Sequence, residues 1–299
     1  AGTTEEAAAG VYPSRSTRPG VRQKRLPGAA AGLIVPPAVW TLRGSDTLHR
    51  DLLRPMKLRR RPLTVLTLTL SFLASACHSD RPLRPLTPPP EELSVKPGIN
   101  KDFLAPEVDT KRWVDTFEGE AREIAVHKDA LVAALGLRKG MEVADVGAGT
   151  GLFLKPLGDA VGVSGKVFAL DISPKFVELL ERRAQQEGLE QIEPRLSKER
   201  SVDLPPLAID AAWVCDTYHH FEYPQHVLFS LFDALRPLGA LYVVDFERIP
   251  GTSRQWVLDH VRADKRTTIK EIEAAGFQFV REVQVPGLLE NYLLEFRRP

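Results

Sequence analysis

An apolar run that ends in closely spaced glycines constrains this 299-residue chain more than any other feature. Val143-Ala144-Asp145-Val146 reads as a strand, and it leads directly into Gly147-Ala148-Gly149-Thr150-Gly151. A strand that meets three such glycines must turn sharply. Glycine adopts the left-handed backbone without steric cost and lets a ligand approach the main chain closely. The spacing discriminates between ligands: the dinucleotide pattern Gly-x-Gly-x-x-Gly requires glycine at position 152, where this chain has Leu152.

The segments around this loop alternate in period. A helix is expected over Arg122 to Leu135, closed by Gly136, followed by strands over Met141 to Val146 and Val167 to Leu170. Ser173-Pro174 supplies a cap and a first-turn proline for a helix that carries Phe176, Leu179, Leu180 and Ala184 on one side and stops at Gly188. Strands over Ile192 to Leu196 and Ile209 to Val214, a helix from Pro224 and a strand over Ala240 to Val244 follow. Thr268 and Glu271 are spaced as a capping box for a short helix ending at Gly276. Two β-rich runs, Phe277 to Val285 and Tyr292 to Phe296, close the chain. Repeated strand–helix units predict an α/β sheet with helices on both faces, and the terminal pair of runs predicts that the last strand is antiparallel.

Taken together, Asp145, the three glycines, Asp171 twenty residues after Gly151 and the closing strand pair resemble the class I S-adenosylmethionine-dependent methyltransferases over approximately Arg112 to Arg298. Asp216-Thr217-Tyr218-His219-His220-Phe221 and Leu235-Arg236-Pro237-Leu238-Gly239 are also similar to segments of small bacterial members of that class. The resemblance implies a Rossmann-like, mostly parallel seven-stranded sheet with S-adenosyl-L-methionine as cofactor. It implies that Asp145 faces the amino acid end of the cofactor and Asp171 its ribose, with Gly147, Ala148, Gly149, Gly151 and Ile172 lining the site and Glu199 as the candidate beside adenine. An S-adenosylmethionine- or nucleoside-binding protein that has lost catalysis is the competing reading.

Methyl transfer from a sulfonium needs alignment and, for a protonated acceptor, removal of a proton. Ligands of open α/β sheets lie at the carboxyl ends of the strands, so Asp216, Tyr218, His219 and His220 are the candidates for contact with the acceptor, one histidine serving as base. The spacing of His219, His220 and His226 fits no standard metal site, and no metal is expected. Phe117, Glu118, Arg122 and Glu123 are candidates for a lid, and Arg262, Asp264 and Lys265 for the border of the acceptor pocket.

The front of the chain differs in composition. Residues 1–84 hold 14 Lys and Arg against 5 Asp and Glu, a charge of +9, while residues 85–299 hold 26 against 34, a charge of −8. An acidic body repels phosphate backbones, so a small-molecule methyl acceptor is expected and a nucleic acid is not. Within the front, Met56 opens a basic stretch and an apolar run ending Leu73-Ala74-Ser75-Ala76-Cys77, which resembles a bacterial lipoprotein signal. That resemblance divides the chain into a disordered or mis-called leader (1–55), a signal (56–77), a Pro-rich linker (78–108) and the methyltransferase domain (109–299). It implies a tether to the cell envelope through Cys77, the alternative being a cytoplasmic protein.

Overall fold

The computed structural model describes residues 89–299 apart from Ala121. The expected leader, signal and Cys77 lie outside the described residues.

Seven strands form one sheet: β1 (Glu142–Val146), β2 (Lys166–Asp171), β3 (Ile192–Leu196), β4 (Ile209–Cys215), β5 (Leu235–Phe246), β6 (Gln278–Glu282) and β7 (Asn291–Arg297), in the order β3-β2-β1-β4-β5-β7-β6. The first five run parallel, and β7 is antiparallel to both of its neighbours, as expected. The central strands are apolar on both faces because helices cover both faces. On one side Val143, Trp213 and Tyr242 pack with the helices α3 (Lys128–Ala134), α4 (Leu154–Val161) and α5 (Pro174–Gln186). On the other, Ala144, Val146, Val214 and Phe296 pack with α6 (Pro224–Ala234) and α8 (Lys265–Ala274). Trp213, fully buried in β4, meets Phe153 edge-on with ring centroids 5.1 Å apart. β2 lies on one side of β1 and β4 on the other, so the chain reverses direction across the sheet at β1, and a crevice opens at the strands' carboxyl ends there.

Several boundaries differ from the sequence expectation. The helix expected over Arg122 to Leu135 is broken at His127 into α2 (Glu123–Val126) and α3. The break has a tertiary cause: the Glu123 carboxylate accepts the main-chain amides of Leu289, Glu290 and Asn291, and the His127 ring occupies the space where a Cβ on Gly287 would stand. β5 starts at Leu235, directly from the end of α6, rather than at Ala240. The capping residue of α8 is Asp264, which accepts from the Thr267 amide at 2.8 Å, so the helix starts one turn before the expected Thr268. Helix α4 has no counterpart in the sequence reading, because Pro156 disguises it. That proline stands in the first turn, where no amide hydrogen bond is lost.

The largest difference is in the segment assigned to a linker. From residue 91 it is laid across the sheet's carboxyl edge rather than held away from the domain. Glu92 accepts the amides of Gln225 and His226 at 3.2 Å each, capping the first turn of α6 from outside, where a carboxylate is favoured by the helix dipole. Ser94 and the Gly98 amide both donate to Glu222, and Asn100 donates to the His220 carbonyl at 3.0 Å. The strap then enters α1 (Thr110–Phe117), capped by Asp109.

Candidate functional site

The glycine turn after β1 is built by close packing. Gly147, Gly149 and Gly151 all have positive φ, at 74°, 54° and 89°. A Cβ on Gly147 would lie 2.3 Å from Thr217 Cγ2, and one on Gly151 would lie 2.9 Å from Leu154 Cδ1. These glycines therefore serve the approach of β4's turn and of α4. A Cβ on Gly149 would make only ordinary contact, with the Phe117 ring and the Gly147 carbonyl at 3.9 Å.

Two adjoining cavities meet at this turn. The larger, of about 620 Å³, is bounded by Asp145, Ala148, Asp216, His219, His220 and His260, with the strap and α1 across its mouth. The smaller, of about 110 Å³, is lined by Asp171, Ile172, Phe176, Glu199 and Val202. Phe103, Phe117, Gly147, Gly149 and Thr217 belong to both. Every expected cofactor residue except Gly151 thus lines one or the other; Gly151 sits behind the loop against Leu154 and Leu180.

Asp145 and Asp171 are both buried but differ in their partners. Asp171 accepts the Gly149 amide on one oxygen and the Ser173 amide on the other, each at 2.8 Å. Burial lifts its carboxyl to about 6 against the pull of these amides. The Asp145 carboxyl is pushed up to about 7, first by burial and then by the negative charge of Asp171, and its Oδ2 has no hydrogen-bond partner. A buried acceptor without a donor costs about 1–3 kcal/mol, and a cationic donor entering the large cavity would satisfy it. An ammonium group is such a donor.

At the end of β4, Asp216 takes a left-handed backbone (φ 47°), and its carboxylate is gripped by Arg122 and by Asn291 Nδ2 at 2.6 Å. Burial pushes it up to about 7 although Arg122 pulls the other way. Held on both oxygens, it is a fixed wall of the cavity. The next residues form a single 3-10 turn, Tyr218–His220, whose successive side chains point about 120° apart. This geometry separates the candidates. His219 and His220 face the large cavity. Tyr218 points into the opposite core, where its hydroxyl donates to Glu271 Oε2 at 2.7 Å and Arg262 lies over its ring. Tyr218 is therefore a packing residue and not an acceptor contact. Tyr218→Phe should cost about 1 kcal/mol in urea unfolding, the worth of one buried hydrogen bond, and leave turnover unchanged.

His219 is fixed by Asp245: the ring Nδ1 lies 2.8 Å from Oδ1 and the main-chain amide donates to Oδ2 at 3.0 Å. Burial, with the neighbouring His260 and Arg262 charges, drives its pKa well below the usual imidazole range, and burial does the same for His220. Both rings are thus neutral at physiological pH. His260, at the end of α7 (Gln255–His260), places its Nε2 3.4 Å from His220 Nε2. The sequence reading gave this residue no role in the site. His226, which that reading grouped with His219 and His220, instead sits on Glu92 at the strap.

The remaining expectations divide. Phe117 and Arg122 line the cavity, but Glu118 pairs with Arg183 and Glu123 holds the turn before β7. Arg262 is paired with Glu271 and Lys265 with Glu247, both away from the cavity. Cys215 lines the cavity, but burial and the Asp216 charge push its thiol well above the usual range, so it is no nucleophile. Unexpected members of the wall are Lys96, Phe103, Trp113 and Trp256. Phe103 touches four rings, Trp113 at 4.8 Å and His220 at 5.3 Å being the nearest.

Comparison with known proteins agrees with this fold. Residues 143–239 match the family described as "Methyltransferase domain". A crystal structure of a SAM-dependent methyltransferase from Aquifex aeolicus is similar at a TM-score of 0.57 and 24% identity, covering 64% of this chain and all of that one. The [4+2]-cyclase SpnF is similar at a TM-score of 0.50 and 20% identity, covering 58% and 81%. An uncharacterized 37.1 kDa protein of transposon TN4556 from Streptomyces fradiae is 33% identical over 115 residues, 38% of this chain and 33% of that protein. The matched stretch is thus about a third of that relative's length. The chain thus has a Rossmann-like fold similar to that of a SAM-dependent methyltransferase, and its residues 143–239 are similar to the methyltransferase-domain family.

Proposed function

We propose that this domain transfers a methyl group from S-adenosylmethionine to a small-molecule acceptor held in the 620 Å³ cavity under the strap. The observation that carries the reading is the orphaned Asp145 Oδ2, a buried carboxyl oxygen with no hydrogen-bond donor, on a residue that lines the crevice between the glycine turn and β4. The cofactor supplies an electrophilic methyl on a sulfonium. Asp145 would take its ammonium group. The Asp171 carboxylate spends one lone pair per oxygen on the amides of Gly149 and Ser173 and has acceptor capacity left for ribose hydroxyls. Ile172, Phe176 and Val202 give the smaller cavity an apolar wall suited to a base, with exposed Glu199 at its rim.

The acceptor lies on the other side of the turn. Phe103, Trp113 and Trp256 present aromatic surface, and Lys96 and the histidines present polar atoms. Closing the strap over this cavity excludes water from a reaction in which hydrolysis competes. The acceptor's proton is drawn off at the histidines of the cavity wall. The SpnF likeness makes the fold alone an insufficient argument for methyl transfer, and the case rests on Asp145 and the cavity.

Calorimetry on the full chain tests the reading. One equivalent of S-adenosylmethionine and of S-adenosylhomocysteine should bind, each competing with the other. Absence of binding by both would overturn it.

A further inference from the structure

Three imidazoles converge where the acceptor cavity meets the end of the sheet. One ring nitrogen from each of His219, His220 and His260 lies within 4.8 Å of the other two. His220 and His260 face each other through their Nε2 atoms at 3.4 Å. Zinc–nitrogen bonds of about 2.0–2.1 Å at a tetrahedral centre put two ligand nitrogens about 3.3–3.4 Å apart, so this pair already stands at ligand spacing. His219 stands within 4.8 Å of both and must move closer to join them.

The surroundings are those of a ligand set. Asp245 holds His219 through Nδ1 and leaves Nε2 as the nitrogen with a free lone pair, the arrangement by which a carboxylate orients a metal-bound histidine. The Asp245 carboxylate is itself fixed by the amides of His219 and Phe246. His220 is held by its carbonyl, which accepts from Asn100, while its Nδ1 is buried with no partner. His260 is held by the α7 backbone, and Lys96, the nearest ammonium, donates to the Asp259 and His260 carbonyls rather than to the rings. All three rings belong to the wall of the large cavity.

We propose that His219, His220 and His260 bind one divalent transition ion, zinc being the best fit to an all-imidazole set, with its fourth position open to the acceptor cavity. This deepens the methyltransferase reading and rests on it for the step that follows. With the ion bound, the three histidines are its ligands in place of a base, and an oxygen or sulfur acceptor X–H loses its proton to water as it enters the open position, before the cavity closes, and keeps the electron pair on X. That pair forms the X–C bond as the carbon–sulfur bond of the sulfonium breaks and its pair returns to sulfur. The ion would thus activate the acceptor, and Asp245 is a positioning residue for it.

The test uses the full chain after treatment with chelator, titrated with cobalt(II) and followed by visible absorption. Wild type should take up one equivalent with the intense bands of a four-coordinate site, and zinc should displace it. His260→Ala and His220→Ala should each weaken cobalt binding at least 100-fold, and Asp245→Asn, which keeps every ligand, about 10- to 100-fold. Circular dichroism and S-adenosylmethionine calorimetry on the same samples separate the two readings. Cofactor binding without stoichiometric cobalt, or cobalt binding unchanged in both histidine variants, overturns the metal site and leaves the methyltransferase reading standing. Cobalt uptake without cofactor binding overturns the methyltransferase reading and leaves the metal site.

Discussion

Asp145→Asn should make the ligand-free protein more stable at pH 8 and at the same time weaken S-adenosylmethionine binding about 10- to 100-fold. The two effects have opposite signs because they come from one group. The Asp145 carboxyl is raised from 3.8 to about 7 in the folded chain, so between those values the folded state binds a proton that the unfolded state has lost. Stability therefore falls as pH rises from about 4 to 7 and levels off above, by an amount on the order of 4 kcal/mol for a shift of this size. The asparagine variant lacks this slope but keeps a buried amide to satisfy, at about 1–3 kcal/mol. It should match or trail wild type near pH 4 and exceed it by about 1–3 kcal/mol at pH 8 in chemical denaturation. Binding reverses the preference, since an ammonium on Oδ2 favours the ionised carboxylate. Wild-type affinity should accordingly rise with pH by up to about tenfold per unit below pH 7, with a proton released on binding that calorimetry in two buffers detects. The variant should lose that dependence, and an affinity equal to that of wild type would remove Asp145 from the cofactor site.

How much of this was legible in the sequence follows from the range of the contacts involved. β1, the glycine turn, Asp145 and Asp171 were readable because local pattern encodes them: apolar runs, glycines that φ demands, and acids at strand ends. The antiparallel β7 was readable from the order of elements. The strap was not, because its anchors are single polar contacts to residues more than 100 positions away, such as Glu92 on the amides of Gln225 and His226, and the prolines before it suggested a tether. His260 was hidden for a related reason. It sits at the end of a six-residue helix whose position over the cavity is set by packing of Phe246, Val257 and Val261, and nothing in its neighbours marks it as a partner of His219 and His220. Tyr218 was misplaced because neighbouring residues in a 3-10 turn diverge, so adjacency in sequence did not mean a shared face.

Gly147→Ala should abolish cofactor binding and cost about 2–5 kcal/mol of stability, more than a glycine-to-alanine change costs in an ordinary turn. Two terms add. Alanine at φ 74° pays about 1–2 kcal/mol for left-handed backbone, and its Cβ would stand 2.3 Å from Thr217 Cγ2 and 2.7 Å from Oγ1, an overpacking of a kind that costs about 1–3 kcal/mol. Thr217 cannot yield freely, since its hydroxyl donates to the Cys215 carbonyl at 2.9 Å and it begins the turn that presents His219 and His220. Displacing it would move the acceptor side of the site as well as the cofactor side, so the loop after β1 and the turn after β4 act as one packed unit. A double-mutant cycle isolates that coupling. Thr217→Ala removes both atoms nearest the new methyl, and in the Gly147→Ala background it should recover about 1–3 kcal/mol in urea unfolding together with part of the S-adenosylmethionine affinity. Additive losses in the double variant would mean that the backbone conformation of Gly147 alone, and not its contact with Thr217, carries the cost.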